Sequence, residues 1–337
     1  MEANKNLLQR DVAREQARLE VGDVQEVVRE MVDEGTQLLA RLTMQAGSTG
    51  KPRPYHATLL LLLRHVIEQL DAVDELLREA ITAPAMLQMR AIVEAHAQML
   101  YLSATREAFS PSPVDARIPS PIPIDTAGNP VHGAALAAVQ DFRGTAYLVA
   151  DLRQRLRESE RLLTGNVEGW MLRLAGRSLA PALVRDPEKQ SELQAVIAAV
   201  TAELNSPQNG PINAEFDVTK GNRRFDPPWY ALAHGPPSVY QLALSVGLVA
   251  EYELFYSPAS AVMHGQDVRG QLGKKRDTGG HSVAPLRSGA YLELVVWKAI
   301  IETVRIYSHV IAAIRPTDKA QWDGWAKRWT GVLRGEG

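Results

Sequence analysis

Two stretches of the sequence set chemically capable side chains among apolar ones. In MRAIVEAHAQMLYL (Met89 to Leu102), Arg90 and Glu94 stand four apart, about 40° from each other on one face of a largely apolar helix. In YELFYSPASAVMHG (Tyr252 to Gly265), Tyr256, Ser260 and His264 recur at intervals of four. Pro258 suits the first position of a new helix with Ser257 as its N-cap, and Gly265 suits its stop. Ser257, Ser260 and His264 then share a face, and the helix macrodipole favours a charged histidine at that C-terminal end. An arginine, a carboxylate, hydroxyls and an imidazole can together hold a phosphate, stabilise charge developing on it and move a proton. The same residues can also form a buried hydrogen-bonded network that locks two helices in register.

Composition narrows the chemistry further. The 337 residues include no cysteine, which removes disulfides, thiolate zinc sites, iron–sulfur clusters and thiol nucleophiles. Hydrophobic residues make up 45% and charged ones 23%, the proportions of a globular chain with a sizeable core. The net charge of −2 gives no general attraction to nucleic acid or anionic lipid. Local charge is uneven, however. Arg223 and Arg224, then Arg269, Lys274, Lys275 and Arg276, fall in Gly-rich or irregular stretches on either side of His264, where they can hold phosphates without sequence preference. Trp229 and Tyr230 are the aromatic residues placed to stack beside them.

Familiar nucleotide and metal motifs are missing. Gly265 to Lys275 (GQDVRGQLGKK) lacks the Lys-Ser/Thr of a phosphate loop, and no strand pattern precedes it. There is no G-x-G-x-x-G, G-x-S-x-G or H-E-x-x-H, and His65 with Glu68 reverses the Glu-x-x-His order of di-iron bundles. No cofactor and no metal are expected. The longest apolar run, Leu59 to Leu63, is far below the roughly 20 residues of a membrane helix, and the charged start MEANKNLLQRDVAREQ has no signal-peptide core. A cytoplasmic protein without membrane contact is therefore expected.

The elements that must position these residues read as helices. Apolar residues from about Leu7 to Leu42 follow a helical period, with Gly22 and Gly35 as weak points. From His56 to Ala80 one stripe runs Leu59, Leu63, Val66, Leu70, Val73 and Leu77, opposite the charged Arg64, Glu68, Asp71, Glu75 and Arg78. A third helix reaches about Ala104; further ones span Gly133 to Leu163, Asp186 to Leu204, Ser238 to Phe255, Pro258 to His264 and Tyr291 to Ile314. Ser110 to Val131 is Pro-rich, and Asn205 to Pro237 reads as irregular. Trp322, Trp325 and Trp329 share a helical face suited to the core or to a dimer contact. The fold class is all-α: an antiparallel helical bundle with a long N-terminal helix and irregular Pro-rich insertions. The expected organisation is an N-terminal helix (1–50) that serves association, a bundle (51–312) with a Pro-rich insertion (108–132), and a Trp-rich C-terminal helix (313–337).

The paired motifs resemble a bacterial all-helical family of unknown function, in which an R-x3-E helix is followed by a Y-x3-S-x3-H-G element. Here these are Arg90 and Glu94, then Tyr256, Ser260, His264 and Gly265, and the likeness extends over about residues 55–105 and 228–268. That family is in turn distantly similar to the HEPN superfamily, helical proteins that include metal-independent ribonucleases and toxin and phage-defence components. HEPN ribonucleases carry Arg-x4–6-His, the histidine moving protons while the arginine stabilises the phosphate under attack by a 2′-hydroxyl. In this chain Arg90 and His96 have that spacing, but a straight helix sets them about 120° apart. The resemblance implies that His264 handles protons, Arg90 stabilises phosphate charge, Glu94 orients, and Ser260 and Tyr256 support by hydrogen bonding. It implies action on RNA, and the Trp-rich and long-helix surfaces point to a homodimer; the alternative is a non-catalytic scaffold or sensor that binds a protein or small ligand.

Overall fold

A computed structural model describes residues 10–48, 50, 52–107, 120–163, 187–223, 225–259, 272–274, 281–283, 291–314 and 319–332. In chain order the helices are α1 (Arg10–Ser48), α2 (Pro54–Arg78), α3 (Thr82–Leu102), α4 (Gly133–Leu163), α5 (Pro187–Leu204), α6 (Gly210–Lys220), α7 (Val239–Val246), α8 (Leu292–Ile314) and α9 (Lys319–Val332). A 3-10 turn covers Trp229–His234, and a single turn at Val249–Glu251 leads into a π-turn at Tyr252–Tyr256. The fold is an all-α helical bundle. Among the described residues it also carries a small antiparallel pair, β1 (Leu272–Lys274) with β2 (His281–Val283), in register Leu272↔Val283, Gly273↔Ser282 and Lys274↔His281. The Gly/Lys/Arg-rich stretch read as loop thus contains two short strands, too brief to leave a period-2 pattern.

Chain contacts divide the molecule into two compact units, residues 1–131 with 239–337, and residues 132–238. In the first unit α2 packs against both α1 and α3, and α8 packs on α1, α2, α3 and α9. The α2 stripe behaves as its spacing requires: Leu59, Leu63, Val66, Leu70, Val73 and Leu77 are fully buried, each worth roughly 1.5–3 kcal/mol before ordering entropy. Helix α1 runs unbroken through both glycines. At Gly35 the absence of a side chain lets Tyr307 of α8 approach, because a Cβ there would lie 1.9 Å from the Tyr307 hydroxyl. That hydroxyl donates to the Met31 carbonyl at 2.9 Å. Leu19, on the apolar period of α1, is 73% exposed.

Helices α2 and α3 close in the same way. Ala80 (φ 52°) and Ala104 (φ 57°) take the left-handed conformation usually given to glycine. The next N–H then reaches back, Ile81 to the Leu76 carbonyl and Thr105 to the Leu100 carbonyl. The tryptophan face of α9 lies in the core of this unit: Trp322 and Trp329 are buried against Tyr307, and the Arg41 guanidinium sits 5.4 Å from the Trp325 ring.

In the second unit α4 packs on α5, α6 and the Trp229–His234 turn. Asn209–Gly210, expected to break helix, instead opens α6, because Pro211 falls in its first turn where no N–H is missed. Trp229 and Tyr230 are both buried, Trp229 edge-to-face with Tyr147 and with Tyr230, so neither offers an open stacking face. Of the Pro-rich stretch, residues 120–132 are described. There the Asp125 side chain accepts from the Ala127 and Asn129 N–H groups and closes a tight turn below an Ile124–Pro130 bridge.

Candidate functional site

Arg90 and Tyr256, 166 residues apart, meet where α3 packs on the π-turn. The Arg90 guanidinium donates through Nη2 to the Tyr256 hydroxyl at 2.8 Å, and its carbon lies 4.2 Å from the ring centroid. Tyr256 stacks on Tyr252 at 4.8 Å, and Tyr252 meets the ring edge of Tyr240, which is 42% exposed. The result is an aromatic row, Tyr240–Tyr252–Tyr256, ending on a half-buried cation.

The π-turn that builds this row has a local cause. Pro258 has no N–H for the carbonyl four residues back and its ring crowds that carbonyl, so an α-helix cannot pass through it undisturbed. Here the chain widens to five-residue bonds over Tyr252–Tyr256, the Ser257 N–H reaching the Tyr252 carbonyl, and resumes helix over 257–259. Ser257 therefore has helical angles (φ −65°, ψ −50°) and is no N-cap; the break expected before Pro258 does not occur.

Glu94 lies on the same part of α3 but does not pair with Arg90. Its carboxylate accepts from Gln98 at 3.4 Å, while Arg90 donates to Tyr256. Burial pushes the Glu94 carboxyl up from its ordinary range, against the opposing pull of Arg90 and Gln98. A half-buried carboxyl in this condition can hold or take a proton closer to neutral pH than a surface glutamate can.

Ser260 and His264, with Gly265, lie outside the described residues, as do Arg224, Arg269, Lys275 and Arg276. Lys274 is placed only by its backbone in β1. Arg223 is exposed just after α6, its N–H bonded to the Lys220 carbonyl.

His96 departs from Arg90, as the angle between them requires, and faces α8. Its Nδ1 lies 2.7 Å from the Glu302 carboxylate, with both side chains at 1% exposure or less. Lys298 reaches Glu302 at 2.6 Å and Glu251 at 3.0 Å; Arg305 reaches Glu251 at 3.0 Å. Glu107 stands 3.9 Å from His96 Nε2. Burial alone would raise the Glu302 carboxyl, but His96 and Lys298 outweigh it and hold it at about 2. Glu251 immediately precedes Tyr252, so this network ties the π-turn to α8 and α3. Beside it, Ser103 Oγ lies 2.7 Å from His309 and 2.9 Å from the Tyr55 hydroxyl. Burial and the neighbouring His96 lower the His309 imidazole to about 4. The sequence gives no periodic sign of this network. The available signals are single polar intruders: Glu302 and Lys298 inside the apolar run of α8, and His96 in α3.

Among the described residues no group of His, Asp and Glu side chains is arranged to hold a metal ion. Nor is any described helix long and apolar enough to cross a membrane. No curated protein and no solved structure matches the chain significantly. A family profile does match, over residues 56–277, a span that runs from the first turns of α2 through α3 and the π-turn to just past β1. With well over half of its length covered, the chain belongs to the family of unknown function DUF5677.

Proposed function

We propose that the chain is a HEPN-like, metal-independent ribonuclease of the toxin or phage-defence type, acting on RNA as a cytoplasmic homodimer. The observation that carries this reading is the Arg90 guanidinium, held by Tyr256 on the π-turn while still half-buried rather than sealed. In the sequence Tyr256 stands four residues before Ser260 and eight before His264. In the reaction a ribose 2′-oxygen attacks the adjacent phosphorus, the bond to the 5′-oxygen breaks, and a 2′,3′-cyclic phosphate and a 5′-hydroxyl are formed. Arg90 stabilises the charge on the non-bridging oxygens. His264 takes the proton of the attacking 2′-hydroxyl and returns one to the leaving 5′-oxygen, and Glu94 orients the site. Ser260 supports by hydrogen bonding. Arg223, Arg224, Arg269, Lys274, Lys275 and Arg276 supply phosphate contacts without sequence preference.

The test is cleavage of a single-stranded RNA in EDTA by wild type, His264→Ala and Arg90→Lys. Wild type is expected to cleave, with His264→Ala lower by about 10²–10⁴ and Arg90→Lys by about 10². Equal activity in wild type and His264→Ala removes the assignment, and so does loss of cleavage on adding EDTA.

A second reading, a non-catalytic scaffold or sensor binding a protein or small ligand, is favoured by one observation. Below the Arg90–Tyr256 contact the His96, Glu302, Lys298 and Glu251 side chains form a buried, mutually paired network, as a purely structural seam requires. On that reading Arg90→Ala and His264→Ala mainly lower the melting temperature. Unchanged stability with a lost cellular phenotype contradicts it.

A further inference from the structure

The second unit holds a cluster of charges that packing alone does not use up. Asp226, with its side chain 8% exposed, receives three cations from two helices. Arg153 of α4 grips it through Nε at 2.8 Å and Nη2 at 3.2 Å, Arg157 of α4 contacts it through Nη1, and Lys220 of α6 reaches it at 3.1 Å. Arg153 is fully engaged. Its Nη1 also donates to the Asn213 side chain at 2.6 Å, its Nη2 to Asp217 at 2.8 Å, and its guanidinium lies 5.2 Å from the buried Phe216 ring. Arg153, Asp226 and Asp217 thus suffice to pin α4 to α6 and to the chain that follows it.

Arg157 and Lys220 are surplus to that task. Among the described residues each makes a single ion contact, to Asp226, although a guanidinium has five N–H donors and an ammonium three. Both line a cavity of about 340 Å³, with Thr201 and Asn205 from the end of α5 and its following turn, and with Leu156 and Leu204 as apolar wall. Its charges are three positive and two negative, leaving one positive charge unbalanced.

We propose that this cavity binds a small phosphorylated molecule, its phosphate between Arg157 and Lys220 and its organic part along Leu156 and Leu204. Donors come from α4, from α5 and the turn after it, and from α6, and several N–H and O–H groups on separate elements suit the oxygens of a phosphate. The volume lies in the range of small-molecule sites and exceeds what phosphate alone fills. The site is argued separately from the ribonuclease reading, because none of its lining residues is used there.

The test is thermal denaturation of the full chain with inorganic phosphate, adenosine 5′-monophosphate, adenosine, acetate or polyuridylate. Phosphate and the mononucleotide are expected to raise the melting temperature by a few degrees at about ten times Kd, with the mononucleotide acting at lower concentration. Adenosine and acetate are expected to leave it unchanged. The double variant Arg157→Gln/Lys220→Gln is expected to weaken the mononucleotide at least tenfold. It is also expected to keep its ligand-free melting temperature within a few degrees, since these side chains are 42% and 30% exposed. If the double variant does not fold, Lys220→Gln alone is measured, with the same weakening in direction. A shift of equal size in the variant overturns the proposal. A response to polyuridylate without one to the mononucleotide, or to acetate as strong as to phosphate, does the same.

Discussion

Replacing Glu302 by glutamine puts the buried network under the π-turn to a quantitative test. The carboxylate is fully buried, 2.7 Å from His96 and 2.6 Å from Lys298, and is held at about 2 against an ordinary 4.5. That difference favours the charged form by about 3 kcal/mol, at about 1.4 kcal/mol per pH unit. Breaking a buried ion pair by removing one partner costs about 3–5 kcal/mol, so the two routes agree. Because the folded pKa is depressed, the stabilisation is fully present above pH 4.5 and is lost as pH falls towards 2. Urea denaturation followed by circular dichroism should place Glu302→Gln about 3 kcal/mol below wild type at pH 7. The gap should close steadily between pH 4.5 and 2 over the range where both remain folded. A gap under about 0.5 kcal/mol at pH 7 refutes the reasoning, and so does a gap that does not change with acid.

Three other substitutions, and a control for the first, probe separate contacts. Gly35→Ala pushes a Cβ to 1.9 Å from the buried Tyr307 hydroxyl and should cost about 3 kcal/mol in thermal or urea denaturation. Its control, Gly22→Ala, meets only Arg18 at 3.8 Å and should stabilise by about 0.5–1 kcal/mol. Glu94→Gln should be more stable than wild type at pH 7 and equal to it in acid. A carboxyl raised by burial contributes its stability below the ordinary carboxylate range and loses it as pH rises through the folded value; a destabilised Glu94→Gln at pH 7 contradicts this. Tyr256→Phe keeps the ring under Arg90 but removes the 2.8 Å hydrogen bond, and calorimetry should show a loss of about 1 kcal/mol.

What the sequence makes legible follows from which forces are periodic. The α2 stripe is apolar at spacings of three and four, and burial follows that spacing without exception. Arg90 and Glu94 were legible as polar intruders on an apolar helix, and the structure brings Arg90 to Tyr256. It does not pair Arg90 with Glu94, since a tyrosine from a distant turn competes for the guanidinium and spacing along one helix cannot register it. The π-turn was hidden for a related reason: Pro258 signals a disturbance, and whether the chain caps or widens there is decided by packing on α3. His96 and Glu302 are 206 residues apart, and their pairing leaves no trace in either helix alone. Helix α6 was concealed by Asn209–Gly210, whose local preference for a turn is outweighed once Phe216 and Ile212 are buried.

The ribonuclease assignment is tested most directly by the chemistry of cleavage itself. The measurement is incubation in EDTA of an RNA oligonucleotide beside copies in which single riboses are replaced by 2′-deoxyribose, with the product ends identified by mass spectrometry. The expected result is cleavage of the RNA to 2′,3′-cyclic phosphate and 5′-hydroxyl ends, with no cleavage at the substituted riboses and none by the folded His264→Ala variant. Intact RNA after incubation with wild type contradicts the assignment, as does cleavage that proceeds equally at a 2′-deoxyribose.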